Sequence, residues 1–376
     1  MKILWFVDIV FDTAHDQTTW IEMVTQLQKN NQVTMVTRYQ SAKVQPKEMK
    51  TPIQYIESSQ IPFVNRFITY QKQVRNLEGY IQKFNPDVLL FNTHNYFLLS
   101  QAQKLRKTYD YRTLLDIRTL PVPASKVRGT IEYHFFKQSL KIASQKFNGL
   151  TYITEEMRRF CKEKFKLSKH KSGIWTCGVN TRHFTPPQKR AENKTFTLIY
   201  HGNMVIHRGL DNLIKAMALL KSYDIKLVLL GSGRGLKALK KLASQQGVYP
   251  KVLFHPRVPY SRVPEYIQKA DAGVLPFPDW PGWNTSSPIK MFEYLACGKP
   301  VIATMIPAHQ NVLEGKEFVF WAPKSSPKKI ADAVITAYKK RSDLENLSKK
   351  SREFVTHHYT WEKKAKQLED FLKELI

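Results

Sequence analysis

Cysteine is scarce in this sequence, and the scarcity removes a class of fold. Three cysteines (Cys161, Cys177, Cys297) in 376 residues cannot build a disulfide framework, and their spacing matches no metal-ligand pattern. They read as structural residues of a reducing compartment. No run of about 18 apolar residues occurs, so no spanning helix is expected. The apolar start, Met1 to Val7, is interrupted by Asp8 and followed by no small-residue cleavage site. It reads as a buried first strand and not as a leader. There is no short-period repeat and no long low-complexity tract. Acid is also in short supply: 31 Asp and Glu face 59 Lys and Arg, a net charge of +28. Such a field favours anionic partners, whether lipid head groups, nucleic acid or acidic polymers. No nucleic-acid recognition module accompanies it.

What is present is an alternation of apolar runs and helical patterns. A chain of 376 residues, 42% hydrophobic, is too long for one ordinary core and suits two domains. Strands are expected at Lys2 to Asp8, Val33 to Thr37, Ile53 to Glu57, Asp87 to Asn92, Thr113 to Arg118, Gly149 to Thr154 and Ser172 to Cys177. A second series follows at Phe196 to His201, Lys226 to Leu230, Val252 to His255, Ala272 to Phe277, Pro300 to Thr304 and Phe318 to Trp321. Helices are expected between them, among others at Thr18 to Lys29, Phe97 to Lys107, Gly209 to Leu220, Leu236 to Gln245, Val263 to Lys269 and Pro327 to Arg341. The fold class is therefore α/β with parallel sheets. Thr185-Pro186-Pro187 and mixed charges over Asn180 to Lys194 read as a linker. The expected boundaries are residues 1–182, 195–355 and 356–376, the last being an amphipathic helix from Trp361.

One stretch reads as a helix with both ends marked: Ser286-Ser287-Pro288-Ile289-Lys290-Met291-Phe292-Glu293-Tyr294-Leu295-Ala296-Cys297-Gly298-Lys299-Pro300. Ser287 suits the cap, Pro288 the first helical position and Gly298 the left-handed position past the last turn. A helix N-terminus is an anion site. Tyr200-His201-Gly202-Asn203, through Arg208-Gly209, ends a strand and starts a helix, the place where open sheets bind ligands. Gly231-Ser232-Gly233-Arg234-Gly235 follows the next strand and is either a phosphate cradle or a plain tight turn.

These residues resemble the group 1 (family 4) glycosyltransferases. The family signature is a Glu, seven residues, a second Glu, then Ala-x-Gly-x-Pro-Val; Glu293 is the second Glu, and Thr285 stands at the first. Trp175 to Pro186 resembles the family hinge, with Cys177 where Asn is usual. The resemblance implies two Rossmann-like domains facing across a cleft, an acceptor-side first domain, a nucleotide-sugar-binding second domain and a C-terminal helix crossing back to the first. It places the donor ribose on Glu293 and the diphosphate on the helix N-terminus at Thr285, Ser286, Ser287 and Pro288. Arg208 matches a diphosphate-binding cation, while Asn203 replaces the family's Arg. Lys290 either helps with phosphate or points to solvent. Gly231, Gly233 and Arg257 fall near the nucleotide base. Trp280 and Trp283 border the donor pocket or pack as structure. His94 ends a first-domain strand and either touches the donor sugar or is structural. Asp116 and Arg118 match an Asp-x-Arg of some relatives or pair with each other. The first loop lacks the family's Gly-Gly, leaving Asp12, Thr13 or His15 for any contact there.

The resulting expectation is a retaining glycosyltransferase that moves a sugar from a nucleotide-sugar to a glycan or lipid-linked acceptor in surface polysaccharide or glycolipid assembly. Arg208, His94 and Glu293 are its catalytic candidates. No Asp-x-Asp pair occurs, so a metal-free site without cofactor is expected, with leaving-group charge met by Arg208 and helix dipoles. The basic first domain, with Arg158, Arg159, Lys162 and Lys164 near Phe135, Phe136, Phe160 and Phe165, is expected to dock on the cytoplasmic face of an anionic membrane and not on nucleic acid. The alternative is a non-catalytic relative that binds a nucleotide-sugar or glycan, or supports a partner enzyme.

Overall fold

The computed structural model describes residues 1–11, 17–40, 43, 45–47, 49–50, 53–58, 65–92, 94–121, 126–167, 170–188 and 195–376; for Asn65, Arg66, Lys126, Val127 and Arg128 only the backbone is described. Contacts divide the chain into two compact units, Met1–Thr176 with Trp361–Ile376, and Cys177–Thr360.

The first unit runs β1 (Lys2–Val10), α1 (Gln17–Leu27), β2 (Gln32–Tyr39), β3 (Gln54–Glu57), α2 (Asn65–Phe84), β4 (Val88–Asn92), α3 (Tyr96–Leu105), β5 (Arg112–Ile117), α4 (Lys126–Lys146), β6 (Gly149–Tyr152), α5 (Glu155–Phe165) and β7 (Ser172–Ile174). Among the described residues its strands form one sheet in the order β3-β2-β1-β4-β5-β6-β7, every pair parallel. Continuous apolar runs such as Ile3 to Val7 and Val88 to Phe91 are buried, as a sheet covered on both faces requires. Local signals set the helix starts: the Asn95 side chain accepts the Leu98 N–H at 3.2 Å, and Thr154 accepts that of Met157 at 3.1 Å, satisfying donors that a helix leaves free.

The second unit runs β8 (Phe196–His201), α6 (Leu210–Leu219), β9 (Ile225–Leu230), α7 (Leu236–Gln245), β10 (Val252–His255), α8 (Val263–Gln268), β11 (Ala272–Leu275), α9 (Pro281–Asn284), α10 (Ile289–Ala296), β12 (Val301–Thr304), α11 (Pro307–Leu313), β13 (Val319–Ala322), α12 (Pro327–Lys339) and α13 (Leu344–His358). The sheet order is β10-β9-β8-β11-β12-β13, again all parallel. In both sheets the strand order reverses beside the unit's first strand, which is the crevice where doubly wound sheets take ligands.

The last helix, α14 (Trp361–Lys373), belongs to the first unit. Trp361, Ala365, Leu368 and Leu372 form its buried stripe. Arg112 Nε donates to Leu375 O at 3.0 Å. A Cβ at Gly173 would lie 2.8 Å from the Phe371 ring, so glycine on β7 makes room for this helix.

Strand ends move by a few residues from those expected: Ser172 to Cys177 contracts to Ser172–Ile174. Sequence periodicity did not single out α13, whose first turn follows a 3-10 turn at Arg341–Asp343. Trp283 lies in the short helix α9, which Trp280 precedes at the cap position.

Candidate functional site

Two loops lock together at the ends of β8 and β9. Gly202 N donates to Leu230 O (2.9 Å), Met204 N to Ser232 O (2.8 Å) and Gly235 N to Met204 O (2.9 Å). The glycine turn makes this approach possible. A Cβ at Gly231 would meet Gly202 O at 2.0 Å, and one at Gly233 would meet Asn203 Oδ1 at 2.4 Å. Both glycines also adopt positive φ, +146° and +157°, which side chains rarely tolerate. The plain-turn reading thus has a structural cause. Asn203 itself is exposed, as is Arg257 on the loop after β10.

Arg208 ends a 3-10 turn, Ile206–Arg208, just before α6. Its guanidinium lies 5.2 Å over the Trp283 ring and close enough to the Tyr200 hydroxyl to act on its charge, while its Nε is buried without a hydrogen-bond partner. Trp283 is pinned to the same loop: its Nε1 donates to His207 O at 2.8 Å, and its ring stacks on His207 at 5.8 Å. Trp283 therefore packs as structure beneath Arg208, whereas Trp280 is partly exposed.

The run before α10 corrects the expected capping. Ser287 does not cap the helix; its Oγ accepts the Cys177 N–H at 3.2 Å. Pro288 occupies the cap position, φ −72° and ψ 111°, with Ile289 first in the helix. Thr285 Oγ1 donates to Pro281 O at 2.9 Å and Ser286 Oγ to Trp283 O at 2.8 Å, so both hydroxyls are spent on closing α9. The far end is as expected, with Gly298 at φ +67°.

Helix α10 is buried from Lys290 to Ala296. Glu293 is 1% exposed. Its Oε1 accepts the Tyr260 hydroxyl at 2.7 Å, and Oε2 lies 3.0 Å from His201 Nε2. The Tyr294 hydroxyl accepts the His201 N–H at 3.1 Å, which ties the end of β8 to α10 a second time. Burial pushes the Tyr294 phenol well up. Lys290 does not point to solvent: it is 5% exposed, and its Nζ donates to the Tyr200 hydroxyl at 3.4 Å. Burial first, and then Arg208, holds its ammonium below the usual lysine range. Burial pushes the Tyr200 phenol up, but Lys290 and Arg208 outweigh it and leave the phenol below its usual value. His309, fully buried beneath, is pushed down to about 4 by burial and leaves Nε2 unpartnered.

The first-unit candidates are arranged differently. Asp116 accepts Thr151 Oγ1 at 2.8 Å and Asn92 Nδ2 at 3.5 Å; burial raises its carboxyl to about 6 against the pull of Arg118. Arg118 donates to Trp175 O at 2.6 Å and lies 3.5 Å over the Trp175 ring. His94 is half-buried, edge-on to Phe136 at 4.7 Å. Asp12, Thr13 and His15 lie outside the described residues.

The structure thus brings Arg208, Lys290 and Glu293 to one end of the second sheet, with Tyr200, His201 and Tyr260 joining them. Sequence reading missed those three partners. The signal available for the first two was their place at the very end of a buried strand before a glycine loop; Tyr260 carried none.

Residues 181–354 match the family model described as glycosyl transferases group 1. A GDP-mannose-dependent alpha-(1-6)-phosphatidylinositol monomannoside mannosyltransferase of Mycobacterium tuberculosis is 28% identical over 208 residues, covering 52% of this chain and 54% of that protein. The aligned regions span about half the length of the first curated relatives, 43% and 54%. Among solved structures, sucrose-phosphate synthase from Thermosynechococcus elongatus superposes with TM-score 0.82 at 19% identity over 100% of this chain and 99% of that one. Anabaena HepE in complex with UDP gives TM-score 0.77 at 12% identity over 100% of both chains. The match to the group 1 glycosyl transferases thus falls within the second unit and takes in β8 to α13, while the solved neighbours share the two-sheet α/β fold over the whole chain.

Proposed function

We propose that the protein transfers a sugar from a nucleotide-sugar to a hydroxyl of a glycan or lipid-linked acceptor, with retention of configuration, in surface polysaccharide or glycolipid assembly. The observation that supports this most is the juncture of β8 and α10, where Arg208 and the Glu293 carboxylate converge on one sheet end. In this reading Glu293 takes the ribose hydroxyls, exchanging its bond from Tyr260 for theirs. Arg208 and the backbone N–H groups at the start of α10 receive the diphosphate. Gly231, Gly233 and Arg257 border the base, and the first unit, with His94, serves the acceptor side. The bond from the sugar's anomeric carbon to the diphosphate breaks and a bond to the acceptor oxygen forms, with loss of the hydroxyl proton. Negative charge grows on the departing diphosphate, and fixed cations meet it without reorganising. Each ~1.4 kcal/mol of that effect is about tenfold in rate. Fixed cations in this role leave the step independent of a divalent metal. Assay against UDP- and GDP-linked sugars, reading donor cleavage and transfer, tests the proposal; failure to bind or cleave any donor would leave the non-catalytic alternative standing.

The acceptor reading carries a membrane component, again as a proposal. Arg159, Lys162 and Lys164 on α5 are exposed, and a basic residue near an anionic surface contributes roughly 1 kcal/mol. Of the expected inserting rings, Phe136 and Phe165 are instead buried core residues, packed at 5.4 Å; attraction is thus electrostatic and fades with salt. Lys169 and the side chains of Lys126 and Arg128 lie outside the described residues. Among the described residues no helix is long and apolar enough to cross a membrane. Reversal of Arg159, Lys162 and Lys164 to Glu should abolish co-sedimentation with anionic vesicles and leave nucleotide binding intact; a wild type that ignores such vesicles at low salt overturns this part.

A further inference from the structure

A buried ammonium needs a counter-charge, and among the described residues Lys290 has none in contact. It is 5% exposed, yet its one hydrogen bond among the described residues is the 3.4 Å contact to the neutral hydroxyl of Tyr200. Aromatic faces lie close to it, Tyr200 at 4.5 Å and Phe277 at 5.4 Å. Glu293, one turn along the same helix, is turned to His201 and Tyr260. A lysine can make three donor bonds, and leaving a charge dry and underbonded costs free energy that folding alone does not recover. A second cation compounds the cost: Arg208 lies near enough to repel the Lys290 ammonium and to act on the same Tyr200 hydroxyl. That hydroxyl donates its own proton to Asn203 O at 3.2 Å, so its lone pairs face the two cations. The tip of Lys290 also reaches the glycine loop, since a Cβ on Gly202 would lie 3.4 Å from Nζ. Residue 203, where the family resemblance places an arginine, is an exposed asparagine next to it.

We propose that Lys290 supplies from α10 the second diphosphate-binding cation that position 203 lacks, and that Tyr200 is the positioning residue that holds Lys290 and Arg208 at the spacing of a diphosphate. The proposal rests on the donor reading above and deepens it. In the ligand-free protein the Tyr200 oxygen is a weak stand-in for a phosphate oxygen. Bound diphosphate provides the missing negative charge and the acceptors that Nζ and the Arg208 Nε want. The charge has moved from an exposed loop to a buried helix face, where it is fixed by packing and less screened by salt.

The test compares binding of inorganic pyrophosphate, UDP, GDP and the bare nucleosides by calorimetry, with melting temperature alongside. Lys290→Met keeps length and removes charge, so the ligand-free variant should melt at or above the wild-type temperature. Its affinity for pyrophosphate and the preferred nucleoside diphosphate should fall at least tenfold, and that for the nucleoside less than twofold. Adding Asn203→Arg to Lys290→Met should recover part of the loss, a rescue that a purely structural lysine would not allow. Tyr200→Phe should lower turnover more than it raises KM for donor. Unchanged diphosphate binding in Lys290→Met overturns the proposal, as does equal loss for nucleoside and diphosphate with no rescue. If the wild type binds none of these ligands, the donor reading itself fails; if it binds them and Lys290→Met binds equally, only this inference does.

Discussion

The strand ends of the two units carry similar residues in opposite conditions. In the first unit, Asp116 is 2% exposed and takes bonds from Thr151 and Asn92, and Arg118 is stacked on Trp175 and bonded to its carbonyl. The Asp116 carboxyl and the Arg118 guanidinium each find hydrogen-bond partners within their own unit. In the second, among the described residues, Lys290 has a single long bond, Arg208 Nε has none, and Glu293 Oε2 has only the near approach of His201 Nε2. Buried polar groups are ordinarily paired. A polar cluster that completes its own bonds is part of the scaffold. The open bonds at Lys290 and Arg208 are the ones that the proposed donor reading fills.

The sharpest way to break this contrast is at Arg208. Arg208→Ala should cut transfer by about 100-fold or more, the usual effect of losing a group that meets transition-state charge, with nucleoside binding unchanged. Equal losses for phosphorylated and bare ligands in calorimetry would return Arg208 to the scaffold. A smaller effect is expected at Glu293. Glu293→Gln keeps the shape and weakens charge-assisted hydrogen bonds worth roughly 1.5–3 kcal/mol, so nucleotide affinity should fall by about tenfold with the fold intact.

Asp116 tests the other side. Its folded carboxyl sits at about 6 against 3.8 for a free one, so the folded state holds its proton more tightly. That contribution is fully present below about pH 4 and is lost as pH rises through about 6. Asp116→Asn should therefore flatten the decline, gaining roughly 2–3 kcal/mol relative to wild type between pH 4 and 7. Hydrogen exchange at β5 amides reads this locally. Donor binding should not change, which separates scaffold from site. The smallest expected effect is that of chelation: excess EDTA should leave transfer in place, and loss restored by magnesium or manganese would show that Arg208 and Lys290 are not sufficient for the leaving group.

Much of the fold was legible because its causes are local. Buried runs such as Phe196 to His201 and Val252 to His255 became strands with those ends, and Leu236 to Gln245 became a helix. The parallel alternation followed from the same period. The candidate site was legible where it coincided with backbone punctuation: Arg208 before a glycine and Glu293 inside a bounded helix. Ser287 failed as a cap because a remote backbone N–H competes for its oxygen. Lys290 was left between phosphate and solvent because one polar residue in an apolar helix says nothing of which face is covered, and burial excludes the solvent alternative.

Sequence by itself determined the order of strands and helices, the glycine turns after β8 and β9, the excess of positive charge and the resemblance to the family. Those depend on apolar period, steric freedom and composition, each contained within a few residues or in the chain as a whole. Only the tertiary structure decided which polar groups are satisfied. Tyr200 and Lys290 are 90 residues apart in sequence, and Cys177 and Ser287 are 110 apart. Whether a buried charge finds its partner is settled by segments that meet only when the sheet is closed around them.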